Sequence, residues 1–227
     1  MTDVVPLSEA RRADGTKAAN LRWLIEHGFP VPPGVVTSAD ASQSRLETWI
    51  NPAKAYAVRS SASVEDSPAF SFAGQFRTVL DATGVDEVRS AVRTVHESAR
   101  DPRVLPYLDK AGIAPDDVRM GVIVQQMVAA VSSGVAFSRN PLTGLTDAVV
   151  ESTTGNAEHL VSGRTTPQRW VWHWGEWTQE PETPTTPEPV VREVVALVEK
   201  AADAWDLRST SSGRGTGSRS GCCRSAR

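Results

Sequence analysis

Residues 55–80 read AYAVRSSASVEDSPAFSFAGQFRTVL, and the change of character inside this stretch decides how the chain is parsed. Ala55 to Val58 is a short apolar run of strand type. It stops at Arg59 and gives way to small, hydroxylated residues that reach Gly74-Gln75. Such a run is too polar for a core and too rich in Ser for a helix. A strand is expected to resume at Phe76 to Leu80, followed by a helix from Val85 to Ala99 with Val88, Ala91, Val92 and Val95 on one face. The segment is therefore a polar loop bracketed by regular structure. Small side chains and Gly74 let backbone N–H groups approach an anion closely.

Towards the N-terminus, Thr16 to His27 reads as an amphipathic helix with Ala18, Leu21, Leu24 and Ile25 on one face, Asp14 or Thr16 as its N-cap and Gly28 past its end. Pro30, Pro32 and Pro33 force an extended exit, and Val35 to Thr37 is a short strand. Towards the C-terminus, Gly121 to Val128, Gly134 to Phe137 and Ala148 to Val150 are apolar runs of buried-strand length separated by turn signals. Trp170 to Trp177 fits a hairpin around Gly175 with tryptophans on one face. A Pro-rich linker over residues 181–189 precedes a helix from Val190 to Trp205. Residues 206–227 are almost devoid of apolar side chains and rich in Arg, Ser and Gly, the composition of a disordered tail.

The 227 residues can bury a sizeable core as one domain, or as one domain with two lobes, over residues 1–205. With 40% hydrophobic and 22% charged residues the composition is that of an ordinary globular protein. A net charge of -3 offers no general attraction to nucleic acid or an anionic membrane, so any polyanion must be gripped locally. Neither a signal peptide nor a membrane-spanning stretch is legible, which makes the cytoplasm the expected location. The two cysteines, Cys222 and Cys223, are adjacent in the tail, and the four histidines are scattered without a nucleophile motif. Neither pattern indicates a zinc site or a catalytic triad.

Four places can carry chemistry. Lys17 lies in the first turn of its helix, where a cation opposes the helix dipole unless an anion is held nearby; the alternative is a solvated lysine. Arg59, at a strand end, can engage phosphate oxygens bidentately, or can pair with Glu65 or Asp66 in a surface loop. Gln125, Gln126 and Met127 end a strand and could present backbone groups and an apolar wall to an adenine ring, or could be plain core. Glu151 and Glu158 sit at strand or loop ends, where a carboxylate can face a metal-bound nucleotide or form a salt bridge.

Five stretches in this order carry a resemblance: GTKAANL with HGFPVPPG (15–21, 27–34), AVRSSASVEDSPAFSFAGQ (57–75), VIVQQMV (122–128), SGVAFSRNPLTG (133–144) and GNAEHLVSGRTTP (155–167). Together they resemble the ATP-binding domain of phosphoenolpyruvate synthase, pyruvate phosphate dikinase and rifampicin phosphotransferase. The resemblance implies an α+β, ATP-grasp-like fold, with two lobes around a nucleotide cleft and a mixed or antiparallel sheet flanked by helices. It implies ATP and Mg2+ as ligands. Lys17 and Arg59 inherit phosphate-binding roles, Arg59 as the catalytic arginine, and Ser71, Phe72, Ala73 and Gly74 the role of a phosphate-covering loop. Gln125, Gln126, Met127 and Glu158 complete the implied nucleotide site.

The family chemistry so implied is transfer of a nucleotide phosphoryl group to a carrier histidine on a swivelling domain, and from there to pyruvate or to a drug hydroxyl. This chain has no carrier-histidine motif, so a separate chain bearing that histidine is the expected partner. The stretch between Ala39 and Tyr56 is shorter than the family pattern, and its Gly-Leu-Gly-Glu stands here as Gly155-Asn156-Ala157-Glu158. The terminal Glu and Gln-x-Arg-Pro motifs are replaced by LRSTSSGRGTGSRSGCCRSAR (207–227), as in a truncation, which predicts weak turnover. Two further readings stay open: the ATP domain of a rifampicin-type antibiotic phosphotransferase, and a non-catalytic or degenerate nucleotide-binding module.

Overall fold

A computed structural model describes residues 4–38, 43–63, 76–114, 117–155, 166–211 and 223–224. The chain divides into two compact units, Met1–Met127 and Val128–Arg227, each a mixed α+β structure built on an antiparallel sheet.

In the first unit the strands are β1 (Val4–Pro6), β2 (Gly34–Thr37), β3 (Ala55–Ala62), β4 (Thr78–Thr83) and β5 (Met120–Gln126), in the order β1-β2-β5-β3-β4. Its helices are α1 (Thr16–Glu26), α2 (Gln43–Glu47), α3 (Gly84–Glu97) and α4 (Leu105–Lys110). β5 reads as an unbroken apolar run because both of its faces are covered. Val122 and Val124 point into a core with Val35, Tyr56, Val58 and the Val88/Ala91/Val92/Val95 stripe of α3. Ile123, one residue out of phase, joins Val36, Leu7 and Ala18 of α1 on the other face. Of the α1 stripe expected at Ala18, Leu21, Leu24 and Ile25, this cluster takes Ala18, Leu21 and Ile25 but not Leu24, while the expected α3 stripe packs in full. Trp23, outside the expected face, is buried and stacks on His27 and Phe29 at centroid distances of 4.2 and 6.2 Å.

Two local expectations are corrected. β3 does not end at Val58: Arg59, Ser60, Ser61 and Ala62 continue it, paired with Ile123, Val122, Gly121 and Met120. Ser60, Ser61 and Ala62 are buried, because their hydroxyls and backbone find partners inside the sheet. Nor does Asp14 or Thr16 cap α1. The N-cap residue is Gly15, at φ 95°.

In the second unit β6 (Ser132–Phe137), β7 (Ala148–Thr154), β8 (Gln168–His173), β9 (Glu176–Gln179) and β10 (Cys223–Arg224) form a sheet ordered β10-β6-β7-β8-β9. Helix α5 (Glu188–Ser211) covers one face, setting Val191, Val195 and Val198 against Ala136, Ala148, Val150 and Trp170. It begins inside the expected Pro-rich linker and runs past Trp205, so residues 206–211 are helical and Cys223–Arg224 form a strand. The tryptophan hairpin stands as expected, with Trp177 packed on Trp170 (5.4 Å) and Trp172 (4.8 Å). Arg192 of α5 lies over Trp172 at 4.6 Å, and Glu188 accepts hydrogen bonds from both Trp177 Nε1 and Arg192. Among the described residues no helix is long and apolar enough to cross a membrane.

Candidate functional site

The first unit assembles a site where α1 begins. The turn Arg12–Asp14 leads through Gly15 into α1, directly over the Ser61–Gly121 pair of β3 and β5. A Cβ on Gly15 would stand 1.7 Å from the carbonyl oxygen of Ser61, and one on Gly121 would stand 2.2 Å from that of Asp14. Only glycine at both positions lets turn and sheet approach this closely. The helix end is then satisfied from the strand: the N–H of Ala18 donates to Ser61 Oγ at 3.0 Å, doing the work of an N-cap side chain that Gly15 lacks. Lys17, one residue earlier, places Nζ 3.4 Å from Ser60 Oγ. Lys17 is thereby held beside the strand residue that follows Arg59.

Arg59 is half-buried between Thr78 of β4 and Ile123 of β5. The structure therefore brings together the first turn of α1, Lys17, and the Arg59-Ser60-Ser61 segment, which are some 43 positions apart in the chain. The Lys17 ammonium and the positive end of an 11-residue helix, docked beside the strand position of Arg59, suit this place to an anion. Sequence reasoning found Lys17 and Arg59 but passed over Gly15, Ser60, Ser61 and Gly121. A glycine directly before Thr16-Lys17 and a Ser-Ser pair directly after Arg59 were the available signals.

The stretch Gln125 to Met127 is more committed to the fold than its position at a strand end implies. Gln125 is 7% exposed and its Nε2 donates to Pro32 O at 3.0 Å, which fastens the Pro-rich segment to β5. The N–H of Gln126 donates to Pro33 O and that of Met127 to Ala55 O. Met127 Sδ accepts from the N–H of Asp81, whose φ of 58° belongs to the irregular β3–β4 pairing. What remains for a ligand here is the end of β5 at Gln126 and the half-buried Met127 side chain.

In the second unit Glu151 has a structural partner, Arg169 on the neighbouring strand at 2.9 Å. Arg169 also donates to Asn140 Oδ1, Asn140 Nδ2 to Asp147, and Asp147 meets His173 Nδ1 at 2.6 Å. This chain of polar contacts ties the loop 138–147 to β7 and β8. Ser71, Phe72, Ala73, Gly74 and Glu158 lie outside the described residues. Among the described residues there is no cluster of three or more His, Cys, Asp or Glu side chains, so those residues do not by themselves assemble a metal centre.

The chain is 41% identical over 144 residues to a phosphoenolpyruvate synthase of Aeropyrum pernix, a match covering 63% of this chain and 18% of that protein. To a rifampicin phosphotransferase of Streptomyces it is 37% identical over 151 residues, covering 66% and 17%. A probable phosphoenolpyruvate synthase of Staphylothermus marinus gives 35% over 171 residues, 74% and 20%. The chain thus spans about a fifth of the length of these relatives. Residues 44–191, well over half of the chain and including Arg59, Ser60, Ser61 and Gly121, match the family described as the pyruvate phosphate dikinase AMP/ATP-binding domain, and the chain belongs to that family.

Proposed function

We propose that this chain is the ATP-binding part of a phosphoenolpyruvate synthase-like phosphotransferase, of ATP-grasp type, acting in the cytoplasm with a separate histidine-bearing chain. The observation that carries the reading is the docking of the α1 N-terminus, with Lys17, onto Ser60–Ser61 next to Arg59. In this reading Lys17 Nζ and the Arg59 guanidinium bind the phosphates and offset the negative charge that spreads over the transferred group. Arg59 is the residue in contact with the reacting phosphoryl. Ser71, Phe72, Ala73 and Gly74 take the role of the phosphate-covering loop, and Gln125, Gln126 and Met127 that of the adenine wall. Mg2+, when bound with the nucleotide, would supply charge neutralisation at the phosphates, with Glu158 as a candidate carboxylate facing it.

The chemistry is in-line: an imidazole nitrogen of the partner's carrier histidine attacks phosphorus, the P–O bond to the leaving nucleotide breaks, and the phosphohistidine then passes its phosphoryl to pyruvate. This chain's part is positioning and charge, not nucleophilic attack. A drug hydroxyl as final acceptor is the second reading, favoured by the 37% identity to a rifampicin phosphotransferase. It shares every role assigned above and differs only in the acceptor domain.

Calorimetric titration of ATP with and without Mg2+ tests the site. Wild type is expected to bind in a Mg2+-dependent manner, and Lys17→Ala and Arg59→Ala each to weaken binding by about tenfold or more, about 1.4 kcal/mol. Unchanged affinity in Arg59→Ala removes its assigned role. Absence of binding by wild type marks the chain as a non-catalytic remnant.

A further inference from the structure

The register of the first sheet lays a strip of small residues between the two ends of the proposed nucleotide site. Tyr56 and Val58 of β3 point into the core under α3, so Ala55, Ala57 and Arg59 face the opposite side, where Ile123 of β5 packs with Ala18 of α1. Met127 is in phase with Ile123, and its N–H donates to Ala55 O, so it belongs to that same side. Arg59 and Ala55 are four residues apart on an extended strand, a span of about 13 Å. That span suits an extended nucleoside triphosphate lying along β3, phosphates at Arg59 and base at Met127, with Ala55 and Ala57 too small to obstruct it.

The neighbouring strand β4 is irregular at the level of this strip. Val58 pairs with Val79 and Tyr56 with Ala82, so Leu80 and Asp81 together stand opposite Ala57. β4 thus carries one extra residue, a β-bulge of the kind that re-aims groups beside functional sites, and Asp81 takes it up at φ 58°. Among the described residues only Asp81 and Trp174 combine a side chain with a positive φ. In this conformation the Asp81 N–H donates to Met127 Sδ at 3.2 Å, a contact between residues 46 positions apart. Methionine has three rotatable bonds, so a wall built from it keeps one shape only where something fixes its thioether.

We propose that Asp81 is a positioning residue for the adenine: its backbone N–H, aimed by the bulge, holds Met127 Sδ and keeps the half-buried Met127 side chain as a preformed wall for the base. The inference rests on the reading of Gln125, Gln126 and Met127 as the adenine wall. The role belongs to the backbone of residue 81, and its carboxylate takes no part. A wall held in place before the base arrives spares the ordering of a flexible side chain on binding. The gain falls on the base and not on the phosphates, which Lys17 and Arg59 hold independently of β4's bulge.

Calorimetric titration of the full chain with ATP and with inorganic tripolyphosphate, both with Mg2+, separates base from phosphates. Asp81→Gly keeps the left-handed conformation and the N–H, and is expected to bind both ligands within about twofold of wild type. Asp81→Val, whose branched side chain disfavours a φ near 58°, is expected to weaken ATP about fivefold and to leave tripolyphosphate within about twofold. Met127→Leu keeps the volume and removes the acceptor sulfur, and is expected to weaken ATP about threefold with the same selectivity. It decides the matter should Asp81→Val fail to fold. Unchanged ATP affinity in Asp81→Val or in Met127→Leu overturns the proposal. So does an equal loss of ATP and tripolyphosphate, which marks general damage, or a loss in Asp81→Gly as large as in Asp81→Val, which moves the role to the carboxylate. Wild type that binds neither ligand overturns the proposed function, and this inference with it.

Discussion

Ser61 Oγ accepts a hydrogen bond from the backbone N–H of Ala18 at 3.0 Å, so a strand residue caps a helix turn 43 positions upstream. Ser61 is fully buried, and the contact fixes the first turn of α1, and with it Lys17, relative to Arg59. Ser61→Ala should therefore cost about 1–2 kcal/mol of stability, the range for a lost cap and a buried N–H left unpaired. Urea denaturation checks the stability. A matching drop in ATP affinity, with Lys17 and Arg59 both intact, would show that the cap positions the site.

Gly15 and Gly121 separate two causes of strain. Gly15→Ala meets both an unfavourable φ of 95° and a carbonyl 1.7 Å from the new methyl group. Gly121→Ala meets only a crowded carbonyl, at 2.2 Å. Both should shift the Asp14–Gly15 turn off the sheet, with Gly15→Ala the worse, at about 3 kcal/mol or more. Thermal melts rank the two, and equal effects would mean that packing alone, not backbone conformation, sets the constraint.

Asn140 holds the second unit's polar chain together, donating to Asp147 and accepting from Arg169 and from the N–H of Leu142. It is 7% exposed, so Asn140→Ala strands three partners in a poorly solvated place. A loss of about 2–3 kcal/mol is expected. Amide hydrogen exchange should show protection falling in the loop 138–147 before it falls in β7 and β8.

Glu188 carries a pH dependence of definite sign. Its carboxyl is held below the usual glutamate range, first by the indole N–H of Trp177 and then by the Arg192 guanidinium. A carboxyl lowered on folding adds stability above its unfolded pKa and loses it as pH falls through the folded value. Wild type should melt higher than Glu188→Gln at pH 7, and the gap should close as pH is lowered below about 4. A gap that does not narrow as the pH falls would assign the stabilisation to shape rather than charge.

Periodicity and punctuation made most of the elements legible. The apolar stripes of α1 and α3, the runs that became β2, β5, β6 and β7, and the Trp174-Gly175 turn of the tryptophan hairpin all follow from local pattern. Lys17 and Arg59 stood out as candidates for the same reason, since a cation in a helix's first turn and an arginine following an apolar run are local anomalies. What the pattern could not reveal was where polar residues find partners. Ser60 and Ser61 read as loop because hydroxyls are disfavoured in a core, yet they are buried strand residues, since β5 supplies their backbone partners and α1 brings Ala18 N–H and Lys17 Nζ to their hydroxyls. The side chains of Gln125 and Glu151 have partners in the fold, Pro32 O and Arg169, that local pattern does not show. Hydrophobic spacing is a property of neighbouring residues and determined the elements. Hydrogen-bond satisfaction depends on residues tens of positions apart, and only the tertiary structure decides it.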